Sequence, residues 1–464
     1  MNTQLTPVTS LRGNLKNRGG CASRFLWGTS TGVSLGDLLH STSLAGRLEE
    51  LAGRTVLLGI KDQLAAALAI IELDGVARRL ILCPPDVSSD DYSMIVETAD
   101  VDAIVSDQSV RLTEKLPVSL QVRAGSTMSP TKEIETDRAA TEWVLLTSGT
   151  TGIPKMVVHT LSSLTAAIKS NKHQEPEVIW GTFYDIRRYG GLQIFLRAIL
   201  GNGSLVLSGI GEHPSDHLNR LRDHGVTHLT GTPSHWRRAL MSPGARGIAP
   251  RYVRLSGEVA DQTILNMLHA FYPQAAVGHA FASTEAGVAF EVDDGLAGFP
   301  AKFLDVPGEV EIKIEDNSLR VRSTRTAKCF LGTQPSAVED SEGFVDTGDI
   351  VELRGDRYYF LGRRTGVINV GGLKVYPEEI EALLNRHPAI RMSCVRSRRN
   401  PITGSLVIAD VVLKDNAESS ELGASQLKNE LLQICRKELP RHKVPAVLNF
   451  VPALNFAASG KMAR

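Results

Sequence analysis

From about residue 45 the apolar positions switch repeatedly between a helical and a strand period. Leu44 to Leu51 reads as a helix, and Thr55 to Ile60 is a β-branched and aliphatic run of buried-strand type. Asp62 to Leu73 is rich in Ala and Leu, reads as helical, and stops near Gly75. A strand follows at Leu80 to Leu82, closed by Pro84 and Pro85, then a helix from Asp91 to Thr98 and a strand at Ala103 to Val105. The alternation resumes after residue 155, with a helix over Leu161 to Lys169 and strands at Leu205 to Leu207 and Thr227 to Leu229. Strands alternating with helices predict an α/β fold built on a parallel sheet.

The texture changes near residue 306. Glu309 to Ile314, Leu319 to Ser323, Ile350 to Leu353 and Tyr358 to Leu361 are short strands separated by turn residues, which predicts an antiparallel β subdomain over about 306–361. The charged stretch Gly362 to Gly366 precedes a compact tail. That tail has a helix from Pro377 to Asn385, a strand near Leu406 to Leu413 and a helix near Leu427 to Leu439. The expectation is a large N-terminal domain over 1–361, a hinge at 362–366 and a small, mobile α+β C-terminal domain over 367–464.

Composition adds exclusions. Lys plus Arg and Asp plus Glu both number 51, so nothing global favours nucleic acid or an anionic membrane. No apolar run approaches a membrane span; Leu64 to Ile71 is short and bounded by Asp62 and Glu72. Cys21, Cys83, Cys329, Cys394 and Cys435 are scattered and form no CxxC pair, which suits thiols in a reducing cytoplasm. Arg12, Lys16, Arg18 and Arg24 precede the first acid, Asp37. This start is expected to be a poorly ordered basic arm, with an organelle transit peptide as the alternative.

The strongest chemical pattern is Leu146-Thr147-Ser148-Gly149-Thr150-Thr151-Gly152-Ile153-Pro154-Lys155, which follows the apolar strand Trp143 to Leu146. Gly149 and Gly152 allow a tight turn and close approach to a ligand. Hydroxyls, free backbone N–H groups and the Lys155 charge suit a polyphosphate. The spacing is not that of a Walker loop.

This segment resembles the phosphate loop of the adenylate-forming superfamily, which includes acyl- and aryl-CoA ligases and peptide-synthetase adenylation domains. Phe281-Ala282-Ser283-Thr284-Glu285 is similar to that family's aromatic-Gly-x-Thr-Glu motif, with Ala282 in place of Gly. The resemblance implies that Phe281 stacks near adenine, Thr284 contacts phosphate and Glu285 holds Mg²⁺. Ser256-Gly257-Glu258 resembles a Gly-Gly-Glu turn beside the adenosine and acyl pocket. Asp346-Thr347-Gly348-Asp349 and Gly362-Arg363 imply ribose contacts from Asp349 and Arg363. Thr365 stands at the hinge position, where the family usually has Asp or Lys. Gly371, Gly372 and Lys374 resemble the loop that admits the thiol acceptor. Ser459-Gly460-Lys461 resembles the family's terminus, whose lysine, here Lys461, meets the carboxylate and α-phosphate.

The implied reaction is ATP-dependent activation of a small or aromatic carboxylic acid as acyl-AMP. Transfer to coenzyme A follows, or alternatively to the phosphopantetheine of a separate acyl carrier protein. By the same resemblance Tyr184, Arg188, Tyr189, Gly191 and Ala282 border the acyl pocket. Arg188 takes the place of a common His, and Arg187 or Arg188 could pair with a polar group on the substrate or with the thiol donor's phosphates. No Asp aligns cleanly with the residue that holds an α-amino group, although Asp185 is close. A non-catalytic nucleotide-binding scaffold or sensor is the reading from another class. Lys155, Glu285, Asp349 and Lys461 together argue against it. A monomer or homodimer is expected.

Overall fold

The computed structural model describes residues 10–108, 118, 120–131, 137–147, 154–168, 177–306, 308–332, 334–400, 404–414, 421–457 and 460–463. Among them, two large sheets stack with helices between and outside them. Six strands run parallel through the eight-stranded sheet, in the order Ala276–Ser283, Tyr252–Ser256, His228–Gly231, Val178–Thr182, Gly203–Val206 and Phe25–Trp27. Gly287–Val292 and Gly32–Ser34 close its two edges antiparallel. The seven-stranded sheet is parallel from Glu142–Thr147 through Arg79–Leu82, Thr55–Leu58 and Ala103–Ser106 to Leu120–Arg123. Lys155–Thr160 and Cys329–Leu331 extend it antiparallel. The sheets are therefore mixed rather than wholly parallel. Hairpins supply Gly32–Ser34, Gly287–Val292 and Lys155–Thr160 without a crossover helix, and Cys329–Leu331 joins from far along the chain.

One continuous core lies between the sheets. Every residue of the helix Gln63–Leu73 is buried, so its sequence is apolar all round rather than striped. Its one acid, Glu72, accepts hydrogen bonds from the hydroxyls of Thr42 and Ser43 and the Ser43 N–H, which offsets the cost of burying a carboxylate. The helix Tyr189–Leu200 shares this core through Phe195, Leu196 and Ile199.

Three expectations are corrected. The arm before Asp37 is folded from residue 10: Leu11–Arg18 is a helix capped by Ser10. Arg12 is buried and donates to the carbonyls of Leu38 and Ser41. Arg24 is buried and donates to the carbonyls of Ala198, Ile199 and Gly203, so it caps the end of the helix Tyr189–Leu200. These arginines fill orphan carbonyls, which no local pattern reveals. Residues 1–9 lie outside the described residues. The helix expected over Leu44 to Leu51 is a 3₁₀ turn at Leu48–Leu51, because Ala45 and Gly46 take positive φ. The helix expected over Leu161 to Lys169 spans Leu161–Thr165, and Lys169 lies outside the described residues.

A five-stranded antiparallel sheet follows: Phe299–Pro300, Arg357–Arg363, Val345–Arg354, Ser318–Ser323 and Val310–Glu315. After the 3₁₀ turn Arg364–Gly366 come the hairpin Ile368–Val370/Leu373–Val375 and a smaller unit with its own core. In it the helices Pro377–Leu384 and Glu421–Glu438 pack on Ile390–Asn400, Gly404–Leu413 and Val447–Phe450. Among the described residues no helix is long and apolar enough to cross a membrane.

Asp74 ties the N-terminal helix to the core. Its carboxylate accepts from the Leu11 N–H at 2.8 Å and from Trp143 Nε1 at 3.2 Å. Burial pushes its pKa up to about 7. The folded state then holds a proton that the unfolded chain has already released above the ordinary Asp range. Stability is expected to fall by up to about 4 kcal/mol as pH rises from 4 towards 7 and to level off above. In urea titrations across that range, Asp74→Asn should flatten this slope; an unchanged slope would contradict the assignment.

Candidate functional site

The carboxyl ends of parallel strands collect the polar segments of the sequence, as expected for an α/β sheet. Thr147 ends one strand and pairs in register with Lys155, which begins the next. They fix the two ends of the loop containing Ser148, Gly149, Thr150, Thr151 and Gly152, which lie outside the described residues. Lys155 is exposed, with its ammonium 5.4 Å from the centre of the Phe330 ring. Ser256 ends the strand Tyr252–Ser256, and Gly257 turns the chain at φ +85°. Ala282 and Ser283 end the strand Ala276–Ser283, where a bulge between Phe281 and Ala282 shifts the register. Such a bulge re-aims the side chains that follow it. Phe281 stacks against Phe360 at 5.2 Å and Phe290 at 5.7 Å. Ser283 is buried and its hydroxyl accepts from the Ala286 N–H.

Glu258 joins the large domain to the C-terminal segment. One carboxylate oxygen accepts from the Ser234 N–H at 2.9 Å, and the other accepts from the Met462 N–H at 3.0 Å. The Thr232 hydroxyl donates to the Gly460 carbonyl at 3.4 Å. These bonds lay Lys461 over Gly257: its Cε lies 3.5 Å from where a Cβ on that glycine would stand. Water reaches Lys461, yet protein surrounds it on most sides, as in an open cleft. The lost hydration lowers its pKa, nearby Arg363 adds to that, and Glu258 and Asp349 oppose it. Asp349 and Arg363 face each other in register on neighbouring strands and form an ion pair at 3.2 Å. Glu285 is half-buried and acts electrostatically on Arg363. Its carboxylate has no hydrogen-bond or ion-pair partner among the described residues. Lys461, Gly257, Glu258, Asp349, Arg363 and Glu285 thus come together from both domains. Ser459 lies outside the described residues.

Two histidines that the motifs did not reveal support this arrangement. His159 is buried, and its Nε2 donates to the Thr284 carbonyl at 2.7 Å. Burial lowers its pKa to about 4, so it stays neutral and pins Thr284 to the strand Lys155–Thr160. His235 forms a reciprocal cap with Thr232 at the start of the helix Pro233–Ala239 and stacks on Phe183 at 5.6 Å. Burial lowers its pKa to about 3. Sequence offers one signal for this cap, Thr232-Pro233 ahead of a short helix.

Around the expected acyl pocket the picture changes. Tyr184 and Tyr189 are buried, and the Tyr184 hydroxyl donates to the Ser256 carbonyl at 2.8 Å. Gly191 is required by packing, because a Cβ there would overlap the Asp185 carbonyl. Arg187 does not reach a substrate position. It is wholly buried, paired with Asp185 and donating to the carbonyls of Ile60 and Lys61. That pairing also occupies Asp185, which is not free to hold an amino group. Arg188 is paired with Asp86 at 2.5 and 2.7 Å and lies close enough to Lys461 to affect its charge. Gly371 and Gly372 form the exposed tip of a hairpin with both φ positive, beside exposed Lys374. No hydrogen bond or ion pair joins these three to the Lys461 group among the described residues.

No cluster of three or more His, Cys, Asp or Glu that could cage a metal occurs among the described residues. Glu285 is a single unpartnered carboxylate beside the cleft. Such a donor fits Mg²⁺, which takes one or two protein carboxylates and completes its shell with water and phosphate oxygens.

Residues 60–326 match the AMP-binding enzyme family model, and residues 379–461 match the AMP-binding enzyme C-terminal domain. A 2-succinylbenzoate–CoA ligase of Bacillus velezensis is 25% identical over 89% of this chain and 82% of its own length. An acetyl-coenzyme A synthetase of Rubrobacter xylanophilus is 27% identical over 69% of this chain, which spans 55% of that relative. The fold is also that of the anthranilate CoA ligase AuaEII, solved with anthranoyl-AMP. The TM-score is 0.80 at 16% identity, covering 98% of this chain and 96% of that one.

The Gly460 contact yields a test. A Cβ at this position would overlap the His235 ring, and its φ of +75° already disfavours a side chain. Gly460→Ala should unseat the terminal strap and leave the large domain intact. The expected result is faster hydrogen exchange at the Met462 amide with little change in the main thermal transition; an unchanged Met462 amide would contradict it.

Proposed function

The chain belongs to the AMP-binding enzymes, and from that premise we propose that it activates a carboxylic acid with ATP and passes the acyl group to the thiol of coenzyme A. The observation that carries this reading is the placement of Lys461 over Gly257, beside Glu258 and the Asp349–Arg363 pair. A cation delivered there by the small domain suits a reaction that builds negative charge on an α-phosphate.

In the first step a carboxylate oxygen of the acid bonds to the α-phosphorus of ATP, and the bond to pyrophosphate breaks. Lys461 neutralises charge on the crowded α-phosphate. The loop between Thr147 and Lys155, held at both ends by the strand pair, takes the leaving pyrophosphate. Asp349 accepts hydrogen bonds from the ribose hydroxyls, and Arg363 fixes the Asp349 carboxylate for that role. Phe281 and the Ser256–Glu258 turn flank the adenosine. Glu285 would hold Mg²⁺, which supplies charge neutralisation on the phosphates.

In the second step the thiolate sulfur attacks the acyl carbon, AMP leaves, and the thiol proton goes to solvent. The exposed turn at Gly371 and Gly372 has no side chains to obstruct a thin pantetheine arm, and it must be brought to the cleft by rotation near Thr365. Free coenzyme A is the preferred acceptor; a carrier-bound phosphopantetheine presents the same thiol. None of the five cysteines is in a disulfide, which suits a reducing cytoplasm.

ATP–pyrophosphate exchange with a panel of carboxylic acids and no thiol tests the first step. Exchange with at least one acid is expected, and Lys461→Ala should lower it by about 10²–10³-fold while leaving ATP binding in place. Exchange undiminished in that variant would contradict the role of Lys461. No exchange with any acid, despite ATP binding, would favour a nucleotide-binding scaffold.

A further inference from the structure

The last described residues of the chain form a small hairpin. Phe456 and Met462 stand opposite each other in an isolated antiparallel bridge. The Ala457 N–H donates to the Lys461 carbonyl at 2.9 Å, and the Ala463 N–H donates to the Asn455 carbonyl at 3.0 Å. Lys461 is therefore carried on one piece of backbone with the Phe456 ring. Thr232 and Glu258 hold that backbone at Gly460 and Met462. A third contact with the large domain is made by the side chain of Phe456. The central carbon of the Arg238 guanidinium lies over its ring, 4.4 Å from the ring centre.

Arg238 stands near the end of the helix Pro233–Ala239, whose start is capped by Thr232 and His235. The preceding residue, Arg237, is neutralised within the large domain by Asp261 at 2.5 Å. The Arg238 guanidinium makes no hydrogen bond or ion pair among the described residues, and its Nε is buried and unfilled. Burial disfavours its charge, and the field of Glu258 opposes that. A guanidinium short of water is where the face of an aromatic ring binds a cation most strongly. Other cation–ring contacts among the described residues, such as Lys155 on Phe330 and Arg246 on Phe271, lie within the large domain. The Arg238–Phe456 contact is the one among them that crosses to the C-terminal segment.

We propose that Arg238 and Phe456 are positioning residues that clasp the terminal hairpin and so set how long Lys461 stays over Gly257. This rests on the adenylation reading above and adds to it a pair that governs the first step. Neither residue acts on the reacting atoms; both act through Lys461. Rotation near Thr365 must lift the ring off the guanidinium together with the lysine, since the hairpin carries both. A stronger clasp then favours acyl-AMP formation, and a weaker one favours the arrangement that receives the thiol. The clasp depends on the negative face of the ring. Leucine at 456 would keep an apolar contact without that face, whereas tryptophan would keep both.

The test is made on the full chain. Hydrogen exchange at the Met462 amide is measured without ligands in Arg238→Met, Phe456→Leu, Phe456→Trp and the double variant Arg238→Met/Phe456→Leu. Arg238→Met and Phe456→Leu should each speed it by about five- to thirtyfold, with the double variant no faster than either. Phe456→Trp should stay within about twofold of the parent chain. The two half-reactions give the second readout, using acids that support ATP–pyrophosphate exchange and their synthetic acyl-AMPs. Phe456→Leu should slow acyl-AMP formation by about fivefold or more and leave thioester formation from acyl-AMP and coenzyme A undiminished. A merely structural role would slow both steps alike, and that result would overturn the proposal. So would additive effects of the two substitutions on the Met462 amide, or a Phe456→Trp amide as fast as that of Phe456→Leu. If no acid supports pyrophosphate exchange, the adenylation reading falls, and the Met462 amide still decides whether the clasp exists.

Discussion

The structure turns on the carboxylate of Glu258. It accepts one backbone N–H from the large domain, at Ser234, and one from the terminal strap, at Met462. A single side chain therefore positions both halves of the cleft against each other. Lys461 follows because it is fixed between Gly460, seated on His235, and Met462, held by Glu258. Bonds of this kind are individually modest in water, on the order of 1 kcal/mol, with more for those to a charged acceptor. The proposed second step requires this junction to open.

Behind the junction, rigidity comes from the two-sheet core. Thr147, Ser256 and Ser283 each stand at the carboxyl end of a parallel strand. Neutral buried histidines complete the frame without adding charge. His159 anchors the Thr284 segment, and His235 forms the seat for the strap. The charge around Lys461 thus comes from Arg363, Asp349, Glu258 and Arg188, with Glu285 acting on Arg363.

The sequence made the contiguous motifs legible because each is a short loop whose chemistry is local. The alternation of apolar runs likewise placed the strands Arg79–Leu82 and Ala103–Ser106 and the helix Gln63–Leu73 within a residue or two of their bounds, but it passed over the central strands Val178–Thr182, Tyr252–Ser256 and Ala276–Ser283. What escaped was non-local. Arg24 reads as part of a basic arm until the carbonyls of Ala198 and Ile199 are seen beside it. Arg187 and Arg188 look like free cations in a loop, yet each has a carboxylate, at Asp185 and Asp86. Arg254 sits inside a strand where its neighbours are hydrophobic, and only the fold sets it beside Glu291. Cys329–Leu331 escaped for the same reason, since its partner Lys155–Thr160 lies far away in the chain.

The most direct test of carboxyl adenylation follows an oxygen atom. An acid labelled with ¹⁸O in its carboxylate would be turned over with ATP and coenzyme A, and the AMP recovered for mass spectrometry. Attack of the carboxylate on the α-phosphorus predicts one ¹⁸O atom in each AMP formed. Unlabelled AMP, or label appearing in orthophosphate alongside ADP, would contradict the account.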